Sequence, residues 1–279
     1  MRMSTFGSVP IPFRVVLRLK VPVPFHRPPR HAGGGDASPP THIGGDMDER
    51  YLRYWSDFLG AGLAAQDPGT VTVVPHLALG GYRGAWIFAM LGRLVVSVPP
   101  PLVSTLRERA ASMPPTLAGG EQAFASLAVT RRIGPAVHMG IDAAPAAVAS
   151  VIRAADDAAI AAFRVEVPAE EWDDASIDED RARGAPVLAV MAGEKIAALA
   201  SYGILPGRGA NPGITVHPRH RGRGFGKAAL AAITECCQEE DLLPVLQTLE
   251  SNHAMVRCAH AVGYRAHARH VALRLDLGI

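Results

Sequence analysis

The residues best suited to binding chemistry sit together in the stretch Ile214-Thr215-Val216-His217-Pro218-Arg219-His220-Arg221-Gly222-Arg223-Gly224-Phe225-Gly226-Lys227, followed by the apolar run Ala228 to Ile233. A β-branched run, a proline stop, a basic glycine-rich turn and a helix start, in that order, describe a strand feeding an anion-binding loop. Glycines at 222, 224 and 226 let backbone N–H groups crowd around a phosphate where a Cβ would intrude. The unpaired donors of the following helix point the same way. This loop is expected to hold a pyrophosphate.

Spacing decides which pyrophosphate carrier. A Walker loop needs Gly five residues before its Gly-Lys pair and Ser or Thr after it, and those places hold Arg221 and Ala228. A dinucleotide fingerprint needs G-x-G-x-x-G, whereas Gly222, Gly224 and Gly226 are spaced one residue too tightly. Arg221, Gly224 and Gly226, with Val216-x-Pro218 ahead of them, resemble the acyl-CoA loop of the GNAT acyltransferase superfamily, which reads Arg or Gln, two residues, Gly, one residue, then Gly or Ala. A second block strengthens the resemblance. Val245 to Leu249 reads as a buried strand and is followed by Asn252, a helix, and the pair Gly263-Tyr264, where the superfamily has a strand, Asn, a helix and a Gly-aromatic pair.

The resemblance covers residues 150 to 279 and implies an acetyl-CoA-dependent N-acetyltransferase. By that likeness, backbone groups near Thr215 and Val216 bond the pantetheine arm, Arg221, Gly222, Arg223, Gly224, Gly226 and Lys227 hold the pyrophosphate, and Asn252 contacts the cofactor arm from the far side. Acetyl-CoA enters as cosubstrate, and no metal is invoked.

Transfer to an amine needs a neutral amine, a stabilised oxyanion and a protonated leaving thiolate. An alkylamine with a pKa of about 10.4 is mostly protonated at neutral pH, so a base or a water chain must take a proton. Candidate bases are Glu171, on the acidic helix that flanks the acceptor cleft in the family fold, Glu250, at the end of the strand facing the cofactor, and His217, beside the loop. None is fixed by motif. Many family members carry a Tyr seven residues after the helix-opening Asn to protonate the thiolate; here that place is Ala259. Tyr264 matches instead the aromatic that packs in the core. The second function considered is therefore a non-catalytic acyl-CoA-binding regulatory protein.

Composition narrows the field. The 279 residues are 48% hydrophobic, enough for one large or two modest domains. Cys236, Cys237 and Cys258 make a poor disulfide set and read as small apolar helix residues in a reducing, cytoplasmic compartment. No run of about 18 uncharged apolar residues is present, and Arg14, Arg18, Lys20, Pro22 and Pro24 interrupt the one segment resembling a signal peptide, so neither a membrane partner nor secretion is expected. Residues 1 to 46 hold six Arg or Lys against two Asp, a net of +4, which leaves −2 on the remainder of a chain whose total is +2. That balance argues against a nucleic-acid partner. The expected partner is a small-molecule or protein amine, and oligomeric state stays open, a homodimer included.

The elements that must position these residues follow from periodicity. Residues 1 to 46, with eight prolines and a Gly33-Gly34-Gly35 run, are expected to be disordered or to precede a misassigned start at Met47. Tyr51, Leu52, Trp55, Phe58, Leu59 and Leu63 form one helical stripe. Strands are expected at 71–74, 85–90 and 94–98, helices at 102–113 and 121–129, and a strand at 136–141, giving a smaller α/β region over 47–142 that shapes or covers the site. Pro75-His76 and Tyr82 are its candidates to face a substrate. After a linker at 143–149, the domain at 150–279 opens with a strand at 150–153, a helix capped by Asp156 and an acidic helix from Pro168. Strands at 186–191 and 196–204, the strand into Val216, a long helix, a strand at 243–249, a helix from 252 and a last strand through 271–275 complete it. The expected fold class is α+β, the GNAT acyltransferase fold, a mostly antiparallel sheet flanked by helices.

Overall fold

The computed structural model describes residues 47–79, 81–143 and 152–276. The expectations for residues 1–46, and for most of the linker at 143–149, lie outside these.

The chain runs α1 (Met47–Leu59), β1 (Val71–Pro75), β2 (Gly84–Met90), β3 (Arg93–Val98), α2 (Val103–Ala110), α3 (Leu117–Gln122) and β4 (Val129–Gly140). Beyond the linker come β5 (Ile152–Ala154), α4 (Asp157–Arg164), α5 (Ala169–Ala175), α6 (Ile177–Ala182), β6 (Leu188–Ala192), β7 (Lys195–Leu205) and β8 (Gly209–Val216). Then follow α7 (Phe225–Glu239), β9 (Leu243–Pro244), β10 (Leu246–Leu249), α8 (His253–Val262) and β11 (Arg265–Leu275).

Two elements of the first part of the chain depart from expectation. The helix placed at 121–129 lies earlier, at 117–122, because Thr116 caps it by accepting the Gly119 N–H at 3.1 Å, and Val129 already belongs to β4. The strand expected at 136–141 begins at 129, since β4 has a partner on both edges. No helix among the described residues is long and apolar enough to cross a membrane.

The strands form two sheets, ordered β1-β3-β2-β11-β4-β10 and β5-β6-β7-β8-β9. They meet at a vertex made by one chain segment. Leu243 and Pro244 pair in parallel with Gly209 and Ala210 of β8, and Val245 N–H donates to Ala210 O at 2.7 Å. From Leu246 onward the segment pairs instead with β4, so the strand expected at 243–249 breaks where it changes sheets. Past that point β8 and β10 share no backbone ladder among the described residues; Asn211 Oδ1 accepts the Gln247 N–H at 3.1 Å, and a cleft opens between the two strands.

Strands from both sides of the 143–149 segment share the six-stranded sheet. β10 and β11 both run antiparallel to β4, which lies between them, and β11 continues the ladder to β2. The first part of the chain therefore supplies a central strand to the second.

Helix α1 buries its stripe of Tyr51, Trp55, Phe58 and Leu59 against Trp86, Phe88 and Met90. Each such side chain is worth roughly 1.5–3 kcal/mol on burial. Its Tyr51 hydroxyl donates to Pro244 O at 2.6 Å and accepts the Ile141 N–H at 3.0 Å, so α1 ties the end of β4 to the vertex. Gly140 leaves the room this needs, because a Cβ there would stand 2.3 Å from the Tyr51 ring. Residues 47–142 brace the cleft from its vertex.

Candidate active site

The segment from β8 into α7 makes a turn at Pro218–His220, then a loop, then the helix. Gly222 and Gly224 take φ of +71° and +88°, a region that costs other residues about 1–2 kcal/mol, and no atom lies within 4 Å of a Cβ built on either. Backbone conformation, with open space in front of it, is why glycine stands at these two places. Gly226 is there for packing: its Cβ would come 3.1 Å from Val216 Cγ2, so glycine lets the first turn of α7 lie on β8. Gly224 is the N-cap of α7 and offers no side-chain cap, which leaves the first N–H groups of a 15-residue helix pointing at that open space. Glycines that leave a cradle clear, an uncapped helix start and surrounding Arg219, Arg221, Arg223 and Lys227 together fit a diphosphate.

Strand alternation divides the walls of the cleft. Ile214 and Val216 of β8, and Leu246 of β10, pack with α7. Thr215 therefore faces the other side, as does its neighbour across β7, Leu199, which packs with Phe163, Trp172 and Ile177 of α4, α5 and α6. Thr215 is 4% exposed, and its Oγ1 has no hydrogen-bond partner among the described residues. On β10, Gln247 Nε2 is likewise buried without a hydrogen-bond partner among the described residues. Leaving a buried hydroxyl unpaired costs about 1–3 kcal/mol, so an orphan at this position asks for an explanation.

Side chains from distant parts of the sequence converge on the loop. Arg221 Nη2 donates to Glu171 Oε2 at 2.6 Å, and its Nε reaches Val216 O at 3.4 Å. The His217 Nδ1 accepts the Arg219 N–H at 3.1 Å, while Nε2 lies 2.6 Å from Glu166 Oε2. That bond is the main reason the Glu166 carboxyl is held below its ordinary range. With both ring nitrogens engaged and the ring buried, His217 is built as a clamp between the α4–α5 connection and the loop, and its geometry leaves no free nitrogen for a substrate proton. Arg223 lies over the Phe225 ring and 3.3 Å from His220 Nδ1; desolvation, then that cation, keeps the His220 imidazole below its usual value.

Two other candidates are occupied elsewhere. Glu250, just past β10, sits 2.7 Å from Arg269 Nε of β11. Asn252 is the N-cap of α8, its Oδ1 accepting the Met255 N–H at 3.1 Å, so its side-chain oxygen is used in starting that helix. Ala259 is fully buried, and Tyr264 is buried with its hydroxyl 2.7 Å from Thr234 Oγ1. Burial pushes the Tyr264 phenol well above its ordinary value, and its hydroxyl is spent on Thr234 inside the core. Burial likewise pushes the thiols of Cys236 and Cys258 up to about 11, and Cys237 higher still. In the first part of the chain His76 is spent on Ser97 Oγ at 2.8 Å and Gly84 O at 2.9 Å, away from the cleft.

Of the residues singled out in the sequence, the structure places Thr215, Val216, His217, Arg221, Gly222, Arg223, Gly224, Gly226, Lys227 and Glu171 around one cleft end, with Glu250 and Asn252 following β10, its other wall. Sequence reasoning missed Glu166, which is 51 residues from its partner and carries no motif.

A cleft between diverging strands, with a glycine loop and an uncapped helix at one end, is suited to a ligand that carries a diphosphate. Residues 152–264 match the acetyltransferase (GNAT) family model, and this part of the chain is a GNAT acetyltransferase domain carrying an upstream extension. Among solved structures, a GNAT-family acetyltransferase from Colwellia psychrerythraea is 14% identical, covering 71% of this chain and 67% of its own, with a TM-score of 0.45. The yncA protein of Salmonella typhimurium, solved with acetyl-CoA, is 20% identical over 47% of this chain and 96% of its own, with a TM-score of 0.35. The ribosomal-protein-S18-alanine N-acetyltransferase of Escherichia coli is 18% identical over 46% and 95%, with a TM-score of 0.34. No curated protein matches the chain.

Proposed function

We propose that the protein is an acetyl-CoA-dependent N-acetyltransferase acting on an amine. The observation that carries this is the pairing of a cleft between β8 and β10 with a diphosphate cradle at its mouth, formed by left-handed Gly222 and Gly224 and the uncapped start of α7. The cradle N–H groups and Arg221, Arg223 and Lys227 hold the diphosphate, and the unpaired edge of β8 near Thr215 and Val216 receives the pantetheine arm. When bound, acetyl-CoA supplies a thioester whose C–S bond breaks as the C–N bond to the amine forms, the amine proton passing to a base and the sulfur leaving as thiolate.

Glu171 is the base this geometry favours. It stands on α5 over the Thr215 face of β8, half exposed, and Arg221 holds its carboxylate beside the loop. Diphosphate binding competes for Arg221 and frees the carboxylate for the amine. His217 and Glu250 are tied to Glu166 and Arg269 and serve as supports. The thiolate leaves without an aromatic donor at 259, which its reference pKa of about 8.5 permits.

One observation favours a second function, a non-catalytic acyl-CoA binder: the place where the family resemblance puts a phenol is a buried alanine. Calorimetry with coenzyme A, followed by thiol release from acetyl-CoA over an amine panel, separates the outcomes. Heat with amine-dependent release supports the enzyme, heat without release supports the binder, and no heat from coenzyme A ends both.

A further inference from the structure

We infer that His217 is a positioning residue for the coenzyme: its Nδ1 shapes the turn that aims the diphosphate cradle, and Glu166 holds the ring in the tautomer this requires; this rests on the coenzyme site proposed above. A backbone N–H can only donate, so the 3.1 Å contact from the Arg219 N–H makes His217 Nδ1 the acceptor and leaves that nitrogen without a proton. The ring proton therefore sits on Nε2, where it donates to Glu166 Oε2 at 2.6 Å. The ring is buried, and its carboxylate partner comes from the connection between α4 and α5. The opposite tautomer would point an N–H at the Arg219 N–H and turn a lone pair on Glu166. Glu166 thus selects the tautomer, and the tautomer gives the turn its acceptor.

What that turn controls is the start of α7. His217 is the N-cap of the turn Pro218–His220, and the Arg219 N–H is the donor it satisfies. From there a file of rings runs to the cradle. The His220 ring lies 5.3 Å from His217 and 5.6 Å from Phe225, the first residue of α7, while Phe163 of α4 meets His217 edge-on at 6.0 Å. Phe225 directly follows the N-cap Gly224, so its N–H is among the uncapped donors at the helix start. A turn that loses its acceptor moves His220, then Phe225, then the donors meant for the diphosphate.

Asparagine sets an oxygen where Nδ1 stands, and glutamine sets an amide where Nε2 stands, so the two replacements separate the nitrogens. In calorimetry with coenzyme A, His217→Asn, whose oxygen still accepts the Arg219 N–H, is expected to bind within about twofold of wild type. His217→Gln and His217→Leu are expected to lose about tenfold or more, the effect of one hydrogen bond left unmade. Glu166→Gln, which still accepts from Nε2, is expected to match wild type, and Glu166→Ala to lose about threefold as the tautomer is released. Thermal melting of each variant checks that the fold is kept. Nitrogen NMR of the wild type at about pH 8, where an ordinary imidazole is neutral, is expected to show the His217 proton on Nε2, the ring being assigned by its loss in His217→Asn. That measurement needs no folded leucine variant. Equal affinity for His217→Asn and His217→Gln, or a proton on Nδ1, overturns the inference and leaves the coenzyme site standing. A wild-type protein that binds no coenzyme A overturns both.

Discussion

Arg221 Nη2 lies 2.6 Å from Glu171 Oε2, joining the phosphate loop to the helix over the opposite face of β8. The pair spans 50 residues of sequence and unites one candidate cofactor ligand with one candidate base. Each side chain is nearly half exposed, so the contact contributes about 0–1 kcal/mol and yields readily to a stronger anion.

Glu171→Gln is therefore expected to move two measurements in opposite directions. Coenzyme A should bind as tightly or up to about fivefold tighter in calorimetry, because its phosphates no longer compete for Arg221. Amine-dependent thiol release should fall by about a hundredfold or more with the base gone. Weaker coenzyme binding together with undiminished release would remove Glu171 from the mechanism.

Gly224→Ala places a Cβ into open space at φ +88°. With nothing to strike, the fold should survive at a cost of about 1–2 kcal/mol, while coenzyme A affinity drops about tenfold or more as the methyl enters the cradle. Thermal melting and calorimetry on one sample measure both. An alanine variant with wild-type affinity would place the diphosphate elsewhere.

A chain begun at residue 143 is expected not to fold. It lacks β4, leaving β10 without its ladder and β11 without a neighbour on either edge, and it lacks the Tyr51 hydroxyl that fixes Pro244. A monomeric fragment with cooperative unfolding by circular dichroism would show that residues 47–142 are dispensable. Tyr51→Phe in the full chain is the milder version, expected to cost about 1–3 kcal/mol by stranding Ile141 N–H and Pro244 O.

Stability should fall in mild acid. His138, His267 and His270 are buried beside Trp55 and Trp86, and burial holds all three imidazoles below their usual value, His267 and His270 at about 3. Below about pH 6.5 the unfolded chain binds protons there that the folded chain does not, so the stabilisation is complete above that pH. It declines below it by about 1.4 kcal/mol per pH unit for each histidine. Melting temperature should be flat from pH 7 to 8 and drop steeply between 6 and 4; a flat profile down to 4 would mean these histidines titrate freely.

The loop was legible because its chemistry is local. Gly222, Gly224 and Gly226 stand within five residues, and each requirement, a left-handed φ or a close approach to β8, is a property of the residue itself. The elements from α4 onward were legible for the same reason: Asp156 caps α4 through the Ala159 N–H three residues on, as its type suggests. Glu166 was not legible, since an exposed carboxylate after a helix becomes a partner of His217 only when the chain returns 51 residues later. Asn252 shows the converse, a residue type read for ligand contact whose oxygen goes first to the helix it starts.

The sequence by itself determined the glycine loop, the helix behind it and the family that such a loop and the later Asn and Gly-Tyr pair define, because these are short-range matters of backbone freedom and spacing. Only the tertiary structure decided that β4 lies between β10 and β11, that Tyr51 pins the vertex, and that Glu171 meets Arg221 while Thr215 turns its hydroxyl the other way from Val216. Those outcomes depend on which strand edges and side chains find each other across 50 to 193 residues, and such pairing is settled by the whole packed molecule, where no local propensity distinguishes one partner from another.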